Sequence, residues 1–267
     1  MASFDFDQAE GLRRILAGPK PHIVTFVSAT PYAEKSAMLV NLGASVSATG
    51  KAVTLLDACP APRGIAIQLG LNPGATLQDV ALQERALNEV SQRLSQGFDV
   101  ATLTRGTLRR GALDADHRRR LSNAFTVLAS QTDILLVDAE LDDDDALPVD
   151  AMSVGEIVVQ VAPDAQSIKN AYTIIKRLNA QLGRRPFGVL VTGASEAEAK
   201  TVFDNMAKAA SRYLALQLAC VGSVPADEHV VRAANLGRTV VDAFPLARAS
   251  VAFRSLAERF GLQNAMA

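Results

Sequence analysis

The residues in this chain whose types could act together on a charged ligand are Lys35, Ser36, Asp57 and Asp138. Lys35 and Ser36 follow the apolar run of Ile23, Val24, Phe26 and Val27. They precede Met38, Leu39 and Leu42, which recur at three and four residues as on a helix face. A strand, a short loop and a helix opening on Lys-Ser form the frame of a phosphate-binding loop. In such a loop the lysine meets phosphate oxygens and the hydroxyl meets Mg²⁺. The run DILLVD (133–138) reads as the clearest buried strand in the chain. Its terminal Asp138 stands where a carboxylate would hold Mg²⁺ through water. Taken alone, an Asp at a strand end is a turn residue; beside Lys35 and Ser36 both readings stand. Asp57 ends a further apolar run, and loops beyond the C-terminal ends of parallel strands are where α/β sheets bind ligands.

The loop itself argues against that chemistry. It reads Ala29-Thr30-Pro31-Tyr32-Ala33-Glu34 and contains no glycine. A phosphate cradle needs backbone N–H groups that curl around the anion without Cβ clashes. Pro31 removes one of those donors. Glu34 adds a negative charge, and a carboxylate about 4 Å from a phosphate oxygen costs on the order of 4 kcal/mol at an effective dielectric of 20. That corresponds to roughly a thousandfold in affinity.

These residues must be positioned by a repeating strand–helix pattern. After the first strand, Ala52–Asp57, Val100–Leu103, Asp133–Asp138, Glu156–Val161, Phe187–Val191 and Leu216–Val221 read as strands. Helical stretches are expected at Leu77–Leu94, Leu121–Leu128, Gln166–Leu182, Ala197–Leu214, Val230–Leu236 and Arg248–Leu262. The helix at 197 is announced by the capping signature Ser195-Glu196-Ala197-Glu198. The alternation predicts a single α/β domain with a doubly wound, mostly parallel sheet flanked by helices. Ahead of it, Asp7 to Leu16 read as a short amphipathic helix set off by Gly18-Pro19-Lys20-Pro21. The expected organisation is an N-terminal helix over 1–18, the domain over 22–247, and an amphipathic helix and tail over 248–267.

Composition narrows the function. With 267 residues, 49% of them hydrophobic, the chain can bury a large core. A net charge of -1 supplies no global field toward nucleic acid. Cys59 and Cys220 form no metal or disulfide framework, which fits a reducing cytosol. The expected location is cytoplasmic, with peripheral attachment at the inner face of the membrane or the cell pole as a variant through Phe253, Leu256 and Phe260. Packing of that face against the domain is the competing reading. Arg105 to Arg120 is locally basic, and Asp142 to Asp145 is a run of four acids; both read as solvated surface.

Three stretches together resemble the MinD/ParA class of deviant P-loop ATPases, and within it the flagellar-number regulators of the FlhG or FleN type. They are Asp7-Gln8-Ala9-Glu10-Gly11-Leu12-Arg13, the segment Pro163 to Tyr172 (PDAQSIKNAY), and the closing runs Val221–Pro225 and Val240–Pro245. The resemblance implies a MinD-type fold, Mg-ATP as cofactor, an ATP-dependent homodimer, and partner docking through Asp7, Gln8, Leu12 and Arg13. The implied partner is an FlhF-like GTPase of the signal-recognition-particle type. Aligned on the family's motifs, Lys35 is the phosphate lysine, Ser36 and Asp138 are the Mg²⁺ residues, and Asp57 is the first switch acid. Thr30 stands where the family's signature lysine should be, Cys59 where an acid organises the attacking water, Gly64 where an asparagine belongs, and Ala139 where a threonine belongs. Thr192 takes the place of a base-reading asparagine. Two readings follow. One is a flagellar regulator acting by protein–protein contact, with ATP binding and hydrolysis impaired or lost. The alternative is an active ATPase switch that dimerises with ATP and associates with the membrane.

Overall fold

The computed structural model describes residues 20–60 and 62–263, with side chains for all of these but 262 and 263. The N-terminal docking residues Asp7, Gln8, Leu12 and Arg13 lie outside the described residues. Eight strands are present among them: β1 His22–Ser28, β2 Val53–Ala58, β3 Gln92–Arg93, β4 Asp99–Thr102, β5 Ile134–Ala139, β6 Glu156–Val161, β7 Phe187–Thr192 and β8 Leu218–Val224. They form one sheet in the order β3-β4-β2-β5-β1-β6-β7-β8, parallel except at the β3 edge. This is the expected doubly wound arrangement.

Both faces of the sheet are covered, which is why its central strands are apolar almost throughout. Side chains alternate between the faces along each strand. Leu135 and Val137 of β5 join one core with Leu121 and Phe125 of α4 (Ala115–Ser130) and Ile175 of α5 (Ala165–Leu182). Met206 of α6 (Glu196–Leu214) belongs to the same core. Ile134 and Leu136 point the other way. They meet Met38, Leu39 and Leu42 of α1 (Tyr32–Ser47) and Phe253, Leu256 and Phe260 of α9 (Arg248–Gln263). Short helices fill the connections: α2 Ile65–Gln68, α3 Leu77–Ala81, α7 Glu228–Asn235 and α8 Val240–Ala243. Buried Asn41 pins α1 to α8 by accepting the Val240 N–H at 2.7 Å.

Two elements differ from expectation for local reasons. Helix α1 opens at Tyr32, three residues before Lys35. Pro31 caps it at φ -53, and its carbonyl accepts from the N–H groups of Glu34 and Lys35 at 3.0 and 3.2 Å. Proline suits the start of a helix because its φ is already set and its missing N–H is not needed there. The phosphate-loop frame therefore shrinks to Ala29, Thr30 and Pro31. Of the helical stretch expected over Leu77–Leu94, only α3 and a single 3-10 turn over Leu87–Glu89 form. Thr76 and Asp79 make a reciprocal cap at the start of α3, and Gln83 at φ +64 turns the chain away soon after Ala81.

The residues singled out for lipid contact are corrected. Phe253, Leu256 and Phe260 are 2%, 3% and 0% exposed. The Phe260 ring packs edge-on against Phe26 at a centroid distance of 6.2 Å and lies 5.9 Å from His22. Helix α9 thus covers the sheet with the face that would have met a membrane. Among the described residues no helix is long and apolar enough to cross one. Replacing Phe260 by Ala is expected to cost about 3–5 kcal/mol of unfolding free energy. Denaturant titration checks this; a loss below about 1 kcal/mol would show that α9 is peripheral to the core.

Candidate functional site

The sheet register brings the chemistry-bearing residues together at the C-terminal ends of its central strands. Asp57 on β2 pairs directly with Asp138 on β5, and Cys59 follows Asp57 by two residues. Lys35, in the first turn of α1, reaches under the loop into this cluster. Its ammonium sits 2.6 Å from Asp138 Oδ1, 2.9 Å from the Ala139 carbonyl and 3.3 Å from Cys59 Sγ. An ammonium has three N–H donors, and all three are engaged here. Lys35 and Asp138 are 1% and 0% exposed. Burial works most strongly against the charged lysine, but the acidic groups around it, Asp138 foremost, together outweigh it and keep the ammonium protonated. Burial pushes the Cys59 thiol well above its ordinary range, against the pull of Lys35. It stays an S–H that points at Asp138 Oδ1 from 3.3 Å.

Asp57 has a different role. Its Oδ2 accepts the Ala66 N–H at 2.8 Å and its Oδ1 the Cys59 N–H at 3.2 Å, so it ties the start of α2 to β2. Gly64 makes this possible. At φ +132, a Cβ there would lie 2.3 Å from Asp57 Oδ1. Burial, opposed by the Ala66 N–H and reinforced by the Asp138 charge, raises Asp57 from 3.8 to about 6.

Most of the N–H groups around the loop are used within the protein. Ala29 donates to the Gln160 carbonyl at 2.9 Å and Thr30 to Ser28 Oγ at 2.9 Å. Pro31 has none, and Glu34 and Lys35 donate to Pro31. The Ala29 carbonyl is held by Ser167 Oγ at 3.1 Å, and that hydroxyl also accepts the Ala162 N–H. Ser167 comes from the segment Pro163–Tyr172, so one of the sequence signatures serves to fasten the loop. Glu34 points outward and is exposed. Ser36 Oγ and Asp138 Oδ2 are buried without hydrogen-bond partners. The carboxylates and thiol of Asp57, Asp138 and Cys59 lie within 4.8 Å of one another. The cation among them is already the Lys35 ammonium. In this arrangement the residues do not fit a nucleoside triphosphate with its Mg²⁺, because no glycine cradle, no free lysine and few free N–H donors remain.

Thr192 lies apart from this cluster. It accepts a hydrogen bond at 3.0 Å from the amide of Gln160, a fully buried residue that sequence reasoning passed over. Its only signal was a polar residue inside the apolar run EIVVQV. The basic and acidic stretches meet on the surface where Arg109 pairs with Asp143 at 3.8 Å, and each has other partners, as Arg110 has Asp150 at 2.5 Å and Asp145 has Arg177 at 3.0 Å.

A parallel sheet in this order, with a strand–loop–helix junction at β1 and carboxylates ending β2 and β5, defines the MinD/ParA-type P-loop NTPase fold. Solved structures agree. The MinD protein of the MinC–MinD cell division complex from Aquifex aeolicus superposes with a TM-score of 0.68 at 19% identity, covering 90% of this chain and 95% of that one. MinD from Pyrococcus horikoshii, solved with Mg-ADP, gives 0.64 at 18% identity over 90% and 95%. No protein-family model matches the chain. The antiactivator FleN of Pseudomonas aeruginosa is 31% identical over 226 residues, 84% of this chain and 81% of that protein. The chain belongs to the FleN (FlhG) family.

The buried cluster sets two expectations. Lys35→Ala leaves Asp138 uncompensated in the core and is expected to destabilise by about 3–5 kcal/mol, whereas the double replacement Lys35→Met with Asp138→Leu recovers most of that loss. Denaturant unfolding of these variants beside the unaltered protein checks both. Asp57 has a folded pKa above its unfolded one. Its contribution to stability is therefore complete below about pH 4 and is lost as pH rises through about 6, a change on the order of 3 kcal/mol. Asp57→Asn is expected to flatten this slope in unfolding measurements across that window.

Proposed function

We propose that this protein regulates flagellar biosynthesis, number and placement in the manner of FlhG and FleN, working in the cytoplasm by protein–protein contacts, with ATP binding and turnover lost. The observation that carries the reading is the saturated Lys35 ammonium, whose three donors end on Asp138, Ala139 and Cys59. A lysine so held offers nothing to a phosphate. The water-organising acid is replaced by an un-ionised thiol, and phosphoryl transfer depends on such positioning. Thr30, in the place of the lysine that reaches across the family's dimer, has its hydroxyl 2.8 Å from Ser28 Oγ. That argues against an ATP-sandwiched homodimer. The docking residues in this reading are Asp7, Gln8, Leu12 and Arg13, and the partner is an FlhF-like GTPase. Kinship with the antiactivator FleN supports a regulatory role. The Aquifex MinD was solved with MinC bound, so a fold of this type can present a protein-binding surface.

One observation favours the alternative of a working ATPase switch. Ser36 Oγ and Asp138 Oδ2, the atoms assigned to Mg²⁺ by family resemblance, are both unpaired. That reading requires Lys35 to leave Asp138. Titration calorimetry separates the two. The regulator reading predicts no heat of Mg-ATP binding at millimolar concentration, and saturable binding would overturn the loss of the nucleotide site. The docking claim has its own readout. Gln8→Ala is expected to abolish stimulation of the partner's GTPase, and unchanged stimulation would refute that surface.

A further inference from the structure

At the other end of α1 from Lys35, a cleft of about 490 Å³ opens between the last turn of that helix, the turn joining β3 to β4, the segment from α7 to α8, and Arg254 of α9. Ala44, on its wall, lies about 14 Å along the helix axis from Lys35 at a rise of about 1.5 Å per residue. The walls are fastened to one another. Ser47 Oγ donates to the Gly97 carbonyl, and Asn41 accepts the Val240 N–H at 2.7 Å. Two hydroxyl residues on this lining are unpaired. Ser45 is 3% exposed, and its Oγ is buried without a hydrogen-bond partner. Thr239 is equally buried, precedes α8 without capping it, and makes no side-chain hydrogen bond among the described residues. Unpaired buried polar groups are uncommon in a folded protein, and these two residues line one accessible cavity. The charges of the lining are uneven. Arg238 is locked onto Asp242, with Nε 2.6 Å from one oxygen and Nη2 2.9 Å from the other. Arg254 spends one N–H on the Pro245 carbonyl at 2.8 Å and makes no ion pair among the described residues. A guanidinium carries five N–H donors, so the rest of its fork is free.

These features specify a ligand. The flat fork of Arg254 suits a carboxylate, which it can meet with two parallel N–H bonds. One unmatched positive charge balances one carboxylate, and Asp242 on the same lining disfavours a phosphate dianion. Apart from Val241 and two alanines the wall is polar, with hydroxyls and the Gln96 amide facing the cavity. That asks for a hydroxylated body rather than a hydrophobic one. The volume lies within the range of ordinary small-molecule sites. We propose that this cleft binds a small hydroxylated carboxylate, a molecule of the sugar-acid type, with its carboxylate on Arg254 and its hydroxyls against Ser45 and Thr239. The site sits at the far end of α1 from the Lys35 cluster, and its occupancy does not depend on whether nucleotide binding has been lost.

D-Gluconate is a suitable probe. Sorbitol offers the same hydroxylated body without the carboxylate, and hexanoate the carboxylate without the hydroxyls. Saturation-transfer NMR titrations of the full chain are expected to show saturable gluconate binding at millimolar concentration, with sorbitol and hexanoate each at least tenfold weaker. Arg254→Gln is expected to weaken gluconate at least tenfold while circular dichroism shows the fold retained. Asp242→Asn frees Arg238 from its ion pair and is expected to tighten gluconate at least threefold, a gain that damage to the fold would not produce. If Arg254→Gln does not fold, Ala48→Glu serves in its place. It sets a carboxylate on an exposed part of the wall and is expected to abolish binding. The proposal is overturned if gluconate fails to saturate at millimolar concentration, if either control binds as tightly, if Arg254→Gln or its stand-in has no effect, or if Asp242→Asn fails to tighten binding.

Discussion

The ion pair between Lys35 and Asp138, 2.6 Å long and closed to solvent on both sides, constrains everything around it. It joins the first turn of α1 to the end of β5, and with the Ala139 carbonyl and the Cys59 thiol it uses every donor the lysine has. Taking two charges out of water is costly, so such a pair persists only with close geometry and satisfied neighbours. Both conditions are met on the lysine side. The cation that a nucleotide site would turn toward phosphate is turned inward instead, and the loop above it contracts to three residues. The replacements at the family's motif positions agree with this. Cys59 presents a neutral thiol to Asp138, Gly64 makes room for the Asp57 carboxylate, and Ala139 contributes only its carbonyl.

Much of the fold was legible in the sequence because the sheet is covered on both faces. Near-continuous apolar runs as short as DILLVD and EIVVQV suit a strand buried on both sides, and the capping signature at Ser195 fixed a helix start directly. Where reading failed, a single residue carried two meanings. Pro31 looked like a loop residue and is a helix cap. Gln83, ordinary by type, takes a left-handed conformation and ends a helix that periodicity alone would have extended. Phe253, Leu256 and Phe260 share a face at helical spacing, but spacing does not say whether that face meets lipid or a sheet; Phe26 and His22 decide it.

The site was legible as a set of residues and not as a geometry. Lys35, Asp57, Cys59 and Asp138 could be gathered by motif position, yet nothing in their spacing said that the lysine would turn inward. That depends on the three-dimensional offer of acceptors. Gln160 was invisible because it looked like a stray polar residue in a strand, and Ser167 was legible only as part of a signature segment, with no sign of what its hydroxyl would hold. In the structure both hold Ala29, Ser167 through its hydroxyl on the carbonyl and Gln160 through its carbonyl on the N–H. Around the closed Lys35 cluster, the loop of Ala29, Thr30 and Pro31 is thus fastened by residues from β1, β6 and α5.

Side-chain nitrogen NMR of the lysines tests the central claim most directly. An ammonium held by three buried acceptors exchanges its protons slowly and gives a resolved signal, whereas those of the exposed lysines exchange away. One such signal is expected, lost in Lys35→Arg and unmoved when Mg-ATP is added to millimolar concentration. A Lys35 signal that is absent, or that shifts with nucleotide, would contradict it.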